Sequence, residues 1–118
     1  MTNFFSDYLA AWHTLDVDRV MAFFTDDVDF GDTTLGHGAV GTERMRRFVA
    51  ASFAAVPEAR FEYVRHFLAG DDYAIVWVMR PNPSDDGIEG VSIGRLRDGR
   101  ICHHRDYWNG SAFPRPSV

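Results

Sequence analysis

The hydrophobic residues of this 118-residue chain change their spacing at Pro57, and this change constrains the fold strongly. Before Pro57, apolar residues recur every three or four positions, which is typical of amphipathic helices. After it, apolar and polar residues alternate over residues 60–68, 73–80, 91–96 and 101–108, which is typical of half-buried strands. Helices at the start and four strands afterwards predict an α+β domain. In it, a curved antiparallel sheet wraps around the N-terminal helices and encloses an apolar pocket.

The composition narrows the possible functions. Hydrophobic residues make up 46% of the chain, enough for one core, so we expect residues 1–118 to form a single domain. A net charge of −5 without a basic run argues against nucleic acid or an anionic membrane as partner. One cysteine cannot form an intrachain disulfide, and no apolar run reaches the roughly 18 residues of a membrane span. The N-terminus lacks the basic start of a signal peptide, so a cytoplasmic location is expected.

The first half of the chain predicts three helices and a short strand. A stripe at helical spacing predicts a helix over residues 3–14, formed by Phe5, Tyr8, Leu9 and Trp12, with the Tyr8 hydroxyl pointing inward. Asp16 is expected to cap a second helix that reaches Phe24, and Thr42 a third that reaches about Ala55. Between them, residues 33–41 form a Gly-rich loop without phosphate-binding spacing, interpreted as a flexible rim.

Alternation along the strands brings two acids to the pocket. The short strand over residues 28–32 places Asp32 on the face of its hydrophobic residues. In the last strand, one face carries Cys102, His104, Asp106 and Trp108, and the other carries Ile101, His103, Arg105 and Tyr107. In residues 73–80, Val76, Val78 and Arg80 share one face, which Asn82 extends, and Ile75, Trp77 and Met79 share the other. We expect the Arg80 face to meet the pocket.

Two carboxylates in an apolar pocket suit proton transfer or water activation without a cofactor, because different surroundings can divide acid and base roles. No metal site is expected, since His103 and His104 point to opposite faces and His104 with Asp106 is short of a ligand set. The alternative is a structural Asp106 that pairs with Arg80 or Arg105.

Residues 8–18 (YLAAWHTLDVD) and 22–27 (AFFTDD) resemble the opening of the nuclear-transport-factor-2-like superfamily. Its nearest branches in pattern are the ketosteroid isomerases, the SnoaL-like polyketide cyclases and the limonene epoxide hydrolases. Residues 93–101 (IGRLRDGRI) and 105–108 (RDYW) are similar to the epoxide hydrolase ending. The resemblance implies a cone-shaped, cystatin-like α+β fold and a homodimer. The dimer would form through the outer face of the sheet, with Trp77, Met79 and Tyr107 as its apolar surface.

The resemblance also implies roles for individual residues. The isomerase pattern places the oxyanion tyrosine at Tyr8 and the general base at Asp32, with Ser92 where that family has a second donor. The epoxide hydrolase pattern matches Arg80, Asn82 and Asp106 and has Phe30 and Asp32 at its water-holding positions. Asp106 also matches the acid/base position of the SnoaL-like cyclases.

These observations lead to one hypothesis and two alternatives. The hypothesis is a cofactor-independent isomerase or aldol-type cyclase that acts on a small hydrophobic metabolite, such as a polyketide, terpenoid or steroid-like ketone. In it Asp32 or Asp106 moves the proton, Tyr8 stabilises the oxyanion and Arg80 keeps the partner acid ionised. The residues expected to shape the pocket or contact the substrate are Phe30, Asn82, His104 and Trp108. The alternatives are epoxide hydrolysis, with Asp106 activating water, and a binding or dimerisation module without chemistry.

Overall fold

A computed structural model describes residues 3–113 and confirms the α+β class. Three α-helices and six strands occur within these residues: α1 (Phe4–Ala11), α2 (Val17–Met21), β1 (Phe24–Asp32), β2 (His37–Val40), α3 (Thr42–Ala55), β3 (Arg60–Ala69), β4 (Asp72–Arg80), β5 (Ile88–Arg97) and β6 (Arg100–Trp108). A 3-10 turn, Gly110–Ala112, follows β6. None of the helices in the described part of the chain is long and apolar enough to cross a membrane.

The strands form one curved sheet in the order β2-β1-β6-β5-β4-β3. Every neighbouring pair is antiparallel except β1 and β6, which run parallel, so the sheet is mixed where the sequence predicted a fully antiparallel one. Register shifts interrupt the β1–β6, β3–β4 and β5–β6 pairings. Extra residues of this kind bend a strand, and they explain how the sheet curves around the helices.

The concave face of the sheet packs against the helices, and β4 determines which face this is. Ile75, Trp77 and Met79 are at most 7% exposed and belong to the core, together with the α1 stripe. Val76, Val78 and Arg80 therefore lie on the convex face, so the expectation that Arg80 meets the pocket is wrong. Trp77 and Met79 have more apolar surface than the side chains on the other face of β4. Burying them stabilises the fold more, and this decides which face meets the helices. These two residues also cannot form the predicted dimer surface.

Three local predictions need correction. Phe24 begins β1 and does not belong to α2, although Asp16 caps α2 as predicted. The loop over residues 33–41 contains β2, which pairs with β1 as a hairpin and is not a flexible rim. Gly41 occupies the N-cap position of α3 with no side-chain hydrogen bond, whereas the Thr42 hydroxyl donates to the backbone of Asp26.

A bulge in β6 changes the predicted alternation. Leu96 pairs with Ile101 and Arg95 with His103, so Cys102 is an extra residue on β6. Ile101 and His104 are consequently both buried, although strict alternation assigned them to opposite faces. The same shift places Ser92 opposite Asp106.

Candidate active site

A cavity of about 560 Å³ lies between the concave face of the sheet and the helices. Its wall is mainly aromatic and contains Tyr8, Trp12, Phe30, Phe48, Phe53, Phe61, Trp77, Trp108 and Phe113. Asp32 and Asp106 are the charged side chains in this wall, and no Lys, Arg or His among residues 3–113 lines it. The exposed side chains of Leu35 and Val56 border the cavity on its solvent side.

Two hydrogen-bond donors, Ser92 and His104, fix one carboxylate oxygen of Asp106. Its Oδ1 accepts a hydrogen bond of 2.5 Å from the Ser92 hydroxyl and lies 2.7 Å from His104 Nε2. The Ser92 hydroxyl in turn accepts a 2.8 Å hydrogen bond from the Trp77 indole. The side chain of Asp106 is 21% exposed, and Oδ2 takes part in no hydrogen bond within residues 3–113. Oδ2 is therefore the oxygen that can meet a molecule in the cavity.

His104 lies behind Asp106 and does not line the cavity, which differs from the predicted substrate contact. It is 1% exposed, its ring stacks on Phe30 with centroids 5.0 Å apart, and its Nδ1 lies 2.6 Å from the Tyr73 hydroxyl. A carboxylate only accepts, so Nε2 carries a hydrogen and donates it to Asp106, while Nδ1 has the Tyr73 hydroxyl as its partner. Burial raises the pKa of Tyr73, which keeps its proton available for this bond. His104 thus fixes the orientation of Asp106.

Tyr8 supplies a second polar group in the same wall. It is 2% exposed, and its hydroxyl donates no hydrogen bond to the described residues. Every fully buried side-chain nitrogen and oxygen in the described part of the chain has a partner, so the Tyr8 hydroxyl reaches the cavity space. Burial first and Asp106 second raise the pKa of Tyr8 well above 10.0, and the adjacent Trp12 indole partly opposes them. The phenol keeps its proton and can donate it in a hydrogen bond.

Asp32 lies beside Asp106, because the two residues pair in the parallel β1–β6 register. Its Oδ1 accepts from the backbone N–H of Leu35 and its Oδ2 from the Trp108 indole, both at 3.0 Å. The structure therefore brings together five of the predicted site residues in one wall: Tyr8, Phe30, Asp32, Asp106 and Trp108.

Arg80 and Asn82 are not part of this group. Arg80 donates to Glu62 at 2.7 Å on the convex face, and the Asn82 amide donates to Asp85. Arg80 therefore does not hold Asp106 ionised, and the set implied by the epoxide hydrolase pattern is not assembled. Arg105 pairs with Asp29 at 2.9 Å, so neither proposed arginine forms a structural ion pair with Asp106.

The sequence did not predict that Ser92 and His104 both donate hydrogen bonds to the same oxygen of Asp106. The sequence shows a Ser at 92, but its position opposite Asp106 depends on the Cys102 bulge, which alternation does not reveal. The sequence did contain one indication that large side chains pack over this part of the strand, namely small residues at alternate positions: Gly90, Ser92 and Gly94. Trp77 packs over Gly90 so closely that a Cβ there would lie 2.3 Å from its ring.

No group of three or more His, Cys, Asp or Glu side chains within residues 3–113 is arranged to hold a metal ion.

Sequence comparison identifies the family. The SnoaL-like domain matches residues 5–104, which is most of the chain. The chain belongs to the SnoaL-like domain family. This confirms the resemblance to the nuclear-transport-factor-2-like superfamily and its SnoaL-like branch. No curated protein matches the sequence.

Solved structures share the fold of this SnoaL-like protein. A protein of ketosteroid isomerase-like fold from Catenulispora acidiphila, in complex with trimethylamine, has a TM-score of 0.82 at 20% identity, covering 92% of this chain and 86% of that one. A putative polyketide cyclase from Sinorhizobium meliloti has a TM-score of 0.74 at 19% identity, with 86% and 90% covered. TerC, co-crystallised with polyporic acid, has a TM-score of 0.75 at 16% identity, with 92% and 89% covered. At these identities the likeness is one of fold.

Proposed function

We propose that this SnoaL-like protein is a cofactor-independent acid/base enzyme, an isomerase or aldol-type cyclase that acts on a small hydrophobic ketone. The observation that carries the proposal is the pairing of two polar groups in one aromatic cavity. Asp106 presents Oδ2 while Ser92 and His104 hold Oδ1, and the Tyr8 hydroxyl faces the same space. One similar structure is a putative polyketide cyclase, which agrees with this chemistry, and another has a ketosteroid isomerase-like fold.

In the proposed reaction, Asp106 removes a proton from the carbon next to the ketone, and the C–H electron pair moves into the carbonyl to form an enolate. Tyr8 donates a hydrogen bond to the enolate oxygen and stabilises the charge that develops there. For isomerisation, the ketone carries a β,γ double bond, so the enolate is a dienolate; the protonated Asp106 returns its proton to the γ carbon, the carbonyl re-forms and the double bond moves to the α,β position. For cyclisation, the enolate carbon forms a bond to a second carbonyl carbon, and the resulting alkoxide takes the proton from Asp106.

Asp106 is a better base candidate than Asp32. Both oxygens of Asp32 accept hydrogen bonds, from Leu35 and Trp108, which restrain its movement. Asp106 has one restrained oxygen and one open one, so a substrate C–H bond can approach it without breaking an existing contact. The proposal therefore assigns the base to Asp106, a choice that the sequence left open.

The proposal is tested by hydrogen exchange into a model ketone. With 1-tetralone in D₂O, the wild-type protein should accelerate exchange of the hydrogens next to the carbonyl, measured by NMR. Asp106→Asn should slow the catalysed exchange by about 10²–10⁴-fold, the usual contribution of a general base. Tyr8→Phe should slow it by about 10²–10³-fold, as expected for loss of an oxyanion donor.

Asp29→Asn is the matched control, because it removes a carboxylate from the same sheet on the face away from the cavity. It should leave the exchange rate unchanged, and circular dichroism should show all three variants folded. Binding of 1-tetralone to the wild type without any accelerated exchange would favour a binding module and overturn the proposal. The epoxide hydrolase alternative lacks an assembled residue set and is not proposed.

The predicted homodimer remains a prediction, with a revised surface. The convex face exposes large apolar side chains on three strands, namely Phe67, Ile93 and Tyr107, at 59%, 44% and 41%. Exposed apolar patches of this kind are typical of protein interfaces.

A further inference from the structure

The cavity wall has an unusual charge balance. It contains the two carboxylates, Asp32 and Asp106, but no basic side chain of residues 3–113. Neither carboxylate forms an ion pair with Lys or Arg in the described part of the chain; the partners of Asp106 are the Ser92 hydroxyl and the His104 ring, and those of Asp32 are the Trp108 indole and a backbone N–H. An indole and a backbone N–H restrain the Asp32 carboxylate without bringing a compensating charge.

An anionic ligand would be repelled in this cavity. A carboxylate, sulfate or phosphate group brought beside Asp32 or Asp106 would place like charges together. Within residues 3–113, no guanidinium or ammonium lines the wall to offset this repulsion. A neutral ketone meets no such penalty, and a cation gains from both carboxylates.

The surroundings of Asp32 provide a place for a cation. The Trp108 indole donates to Asp32 Oδ2, and the Trp108 ring lies 5.8 Å from the Phe113 ring, centroid to centroid. A cation close to Asp32 therefore lies beside the edge of the Trp108 ring, and the apolar part of the same ligand meets the aromatic side chains of the wall. Each carboxylate oxygen of Asp32 accepts one hydrogen bond in the structure and can accept another. An alkylammonium group can therefore donate to Asp32 without displacing Leu35 or Trp108.

We propose that the cavity selects hydrophobic ligands that carry a basic amine, with Asp32 as the anchor of the ammonium group. This inference deepens the proposed function, on which it rests: the substrate becomes an apolar aminoketone, with its amine at Asp32 and its carbonyl between Tyr8 and Asp106. The two neighbouring acids then have different tasks. Asp106 moves the proton, and Asp32 fixes the substrate so that the reacting carbon meets Asp106.

The test uses three probes of the same shape and different charge: 2-naphthylmethylamine, 2-naphthalenemethanol and 2-naphthoate. Binding to the wild-type protein is measured by isothermal titration calorimetry at pH 7. The amine should bind about tenfold tighter than the alcohol or more, because it adds a charge-assisted hydrogen bond to Asp32. The carboxylate should bind more weakly than the alcohol. Raising the salt concentration should reduce the differences, since it screens charge.

Asp32→Asn removes the charge and keeps an acceptor oxygen. It should lower the preference for the amine over the alcohol by about tenfold while the affinity for the alcohol stays unchanged. Glu58→Gln is the control, because Glu58 is an exposed acid next to Ala59 of the cavity wall and does not itself line the cavity. It removes the same net charge and should leave the preference unchanged.

A wild-type protein that binds 2-naphthoate as tightly as the alcohol, or the amine no tighter than the alcohol, would overturn the inference. An equal loss of preference in Glu58→Gln would also overturn the inference, because the net negative charge of the protein, and not Asp32 itself, would then explain the preference for the amine. These probes contain no ketone, so their binding is independent of turnover. Failure here with normal exchange of 1-tetralone leaves the proposed chemistry in place, whereas failure of the exchange alone leaves the ligand class in place.

Discussion

The two faces of the sheet treat carboxylates differently. On the concave face, Asp32 accepts hydrogen bonds from the Leu35 backbone N–H and the Trp108 indole. On the convex face, Asp29 lies 2.9 Å from the guanidinium of Arg105. Both acids are restrained, but only the convex one is neutralised by a cation.

This difference separates a carboxylate whose charge is compensated from one whose charge is not. A partly exposed ion pair contributes about 0–1 kcal/mol, and its charge is already compensated. A carboxylate whose partners are an indole and a backbone N–H has no such compensation and is available to attract a cation. The presence of an acid on a strand is therefore less informative than the charge of its partners.

The largest expected effect is a difference in the free energy of unfolding between apolar substitutions on the two faces of the sheet. Trp77 is 2% exposed and packs in the cavity wall, so Trp77→Ala should lower the free energy of unfolding by about 3–5 kcal/mol. Val78, the next residue, is half-buried on the convex face, and Val78→Ala should cost about 1 kcal/mol. Urea denaturation measures both. Similar losses would mean that the face assignment is wrong.

A smaller difference in the free energy of unfolding is expected between substitutions that remove polar contacts on the two faces. Ser92→Ala leaves the buried Trp77 indole without its acceptor and removes a donor from Asp106, which should cost about 1–3 kcal/mol. Asp29→Asn weakens a partly exposed ion pair and should cost about 0–1 kcal/mol. Thermal or urea unfolding separates the two. A loss in Asp29→Asn as large as that in Ser92→Ala would contradict the distinction between the faces.

The smallest expected effect is a difference in pH dependence. His13 Nε2 accepts the backbone N–H of Phe61, a residue of the cavity wall, and burial followed by Arg60 lowers the His13 pKa below 6.5. The unfolded chain then binds a proton at higher pH than the folded one. The contribution of His13 is full above pH 6.5 and is lost as the pH falls from 6.5 through the folded pKa. In His13→Gln, the free energy of unfolding should change less between pH 7 and pH 5.

An exposed ion pair should respond in a different pH range. Arg97 first and Thr25 second lower the pKa of Asp27 to about 2, against an ordinary 3.8. Its contribution is present above 3.8 and is lost as the pH falls through about 2, so it does not affect the comparison between pH 7 and pH 5. An unchanged slope in His13→Gln over that range would show that other groups carry the dependence.

Local features of the site were predictable from the sequence. Helical spacing placed Tyr8 on the buried stripe of α1, and strand alternation placed Asp32 beside Phe30, because both patterns depend only on near neighbours. Alternation also placed Asp106 on the pocket face of the last strand, and the resemblance added the fold. In each case, the information lay in a short stretch of residues.

Features that depend on distant contacts were not predictable. Alternation divides β4 into two faces, but which face meets the helices depends on how the sheet packs, so Arg80 was assigned to the wrong side. The bulge at Cys102 depends on the pairing of two strands and determines that Ser92 lies opposite Asp106. The strand β2 forms only because β1 is beside it, and its Gly-rich sequence predicts a loop.

The parallel pairing of β1 with β6 has a consequence for the order of assembly. The hydrogen bond from Trp108 to Asp32 joins residues 76 positions apart, and Asp32 meets Asp106 only when the last strand enters the sheet. Closing so long a segment costs chain entropy before its contacts form, and such contacts slow folding. A chain still emerging from the ribosome therefore carries Tyr8 and Asp32 without Asp106 beside them. The two carboxylates come together only after β6, Arg100–Trp108, has been synthesised.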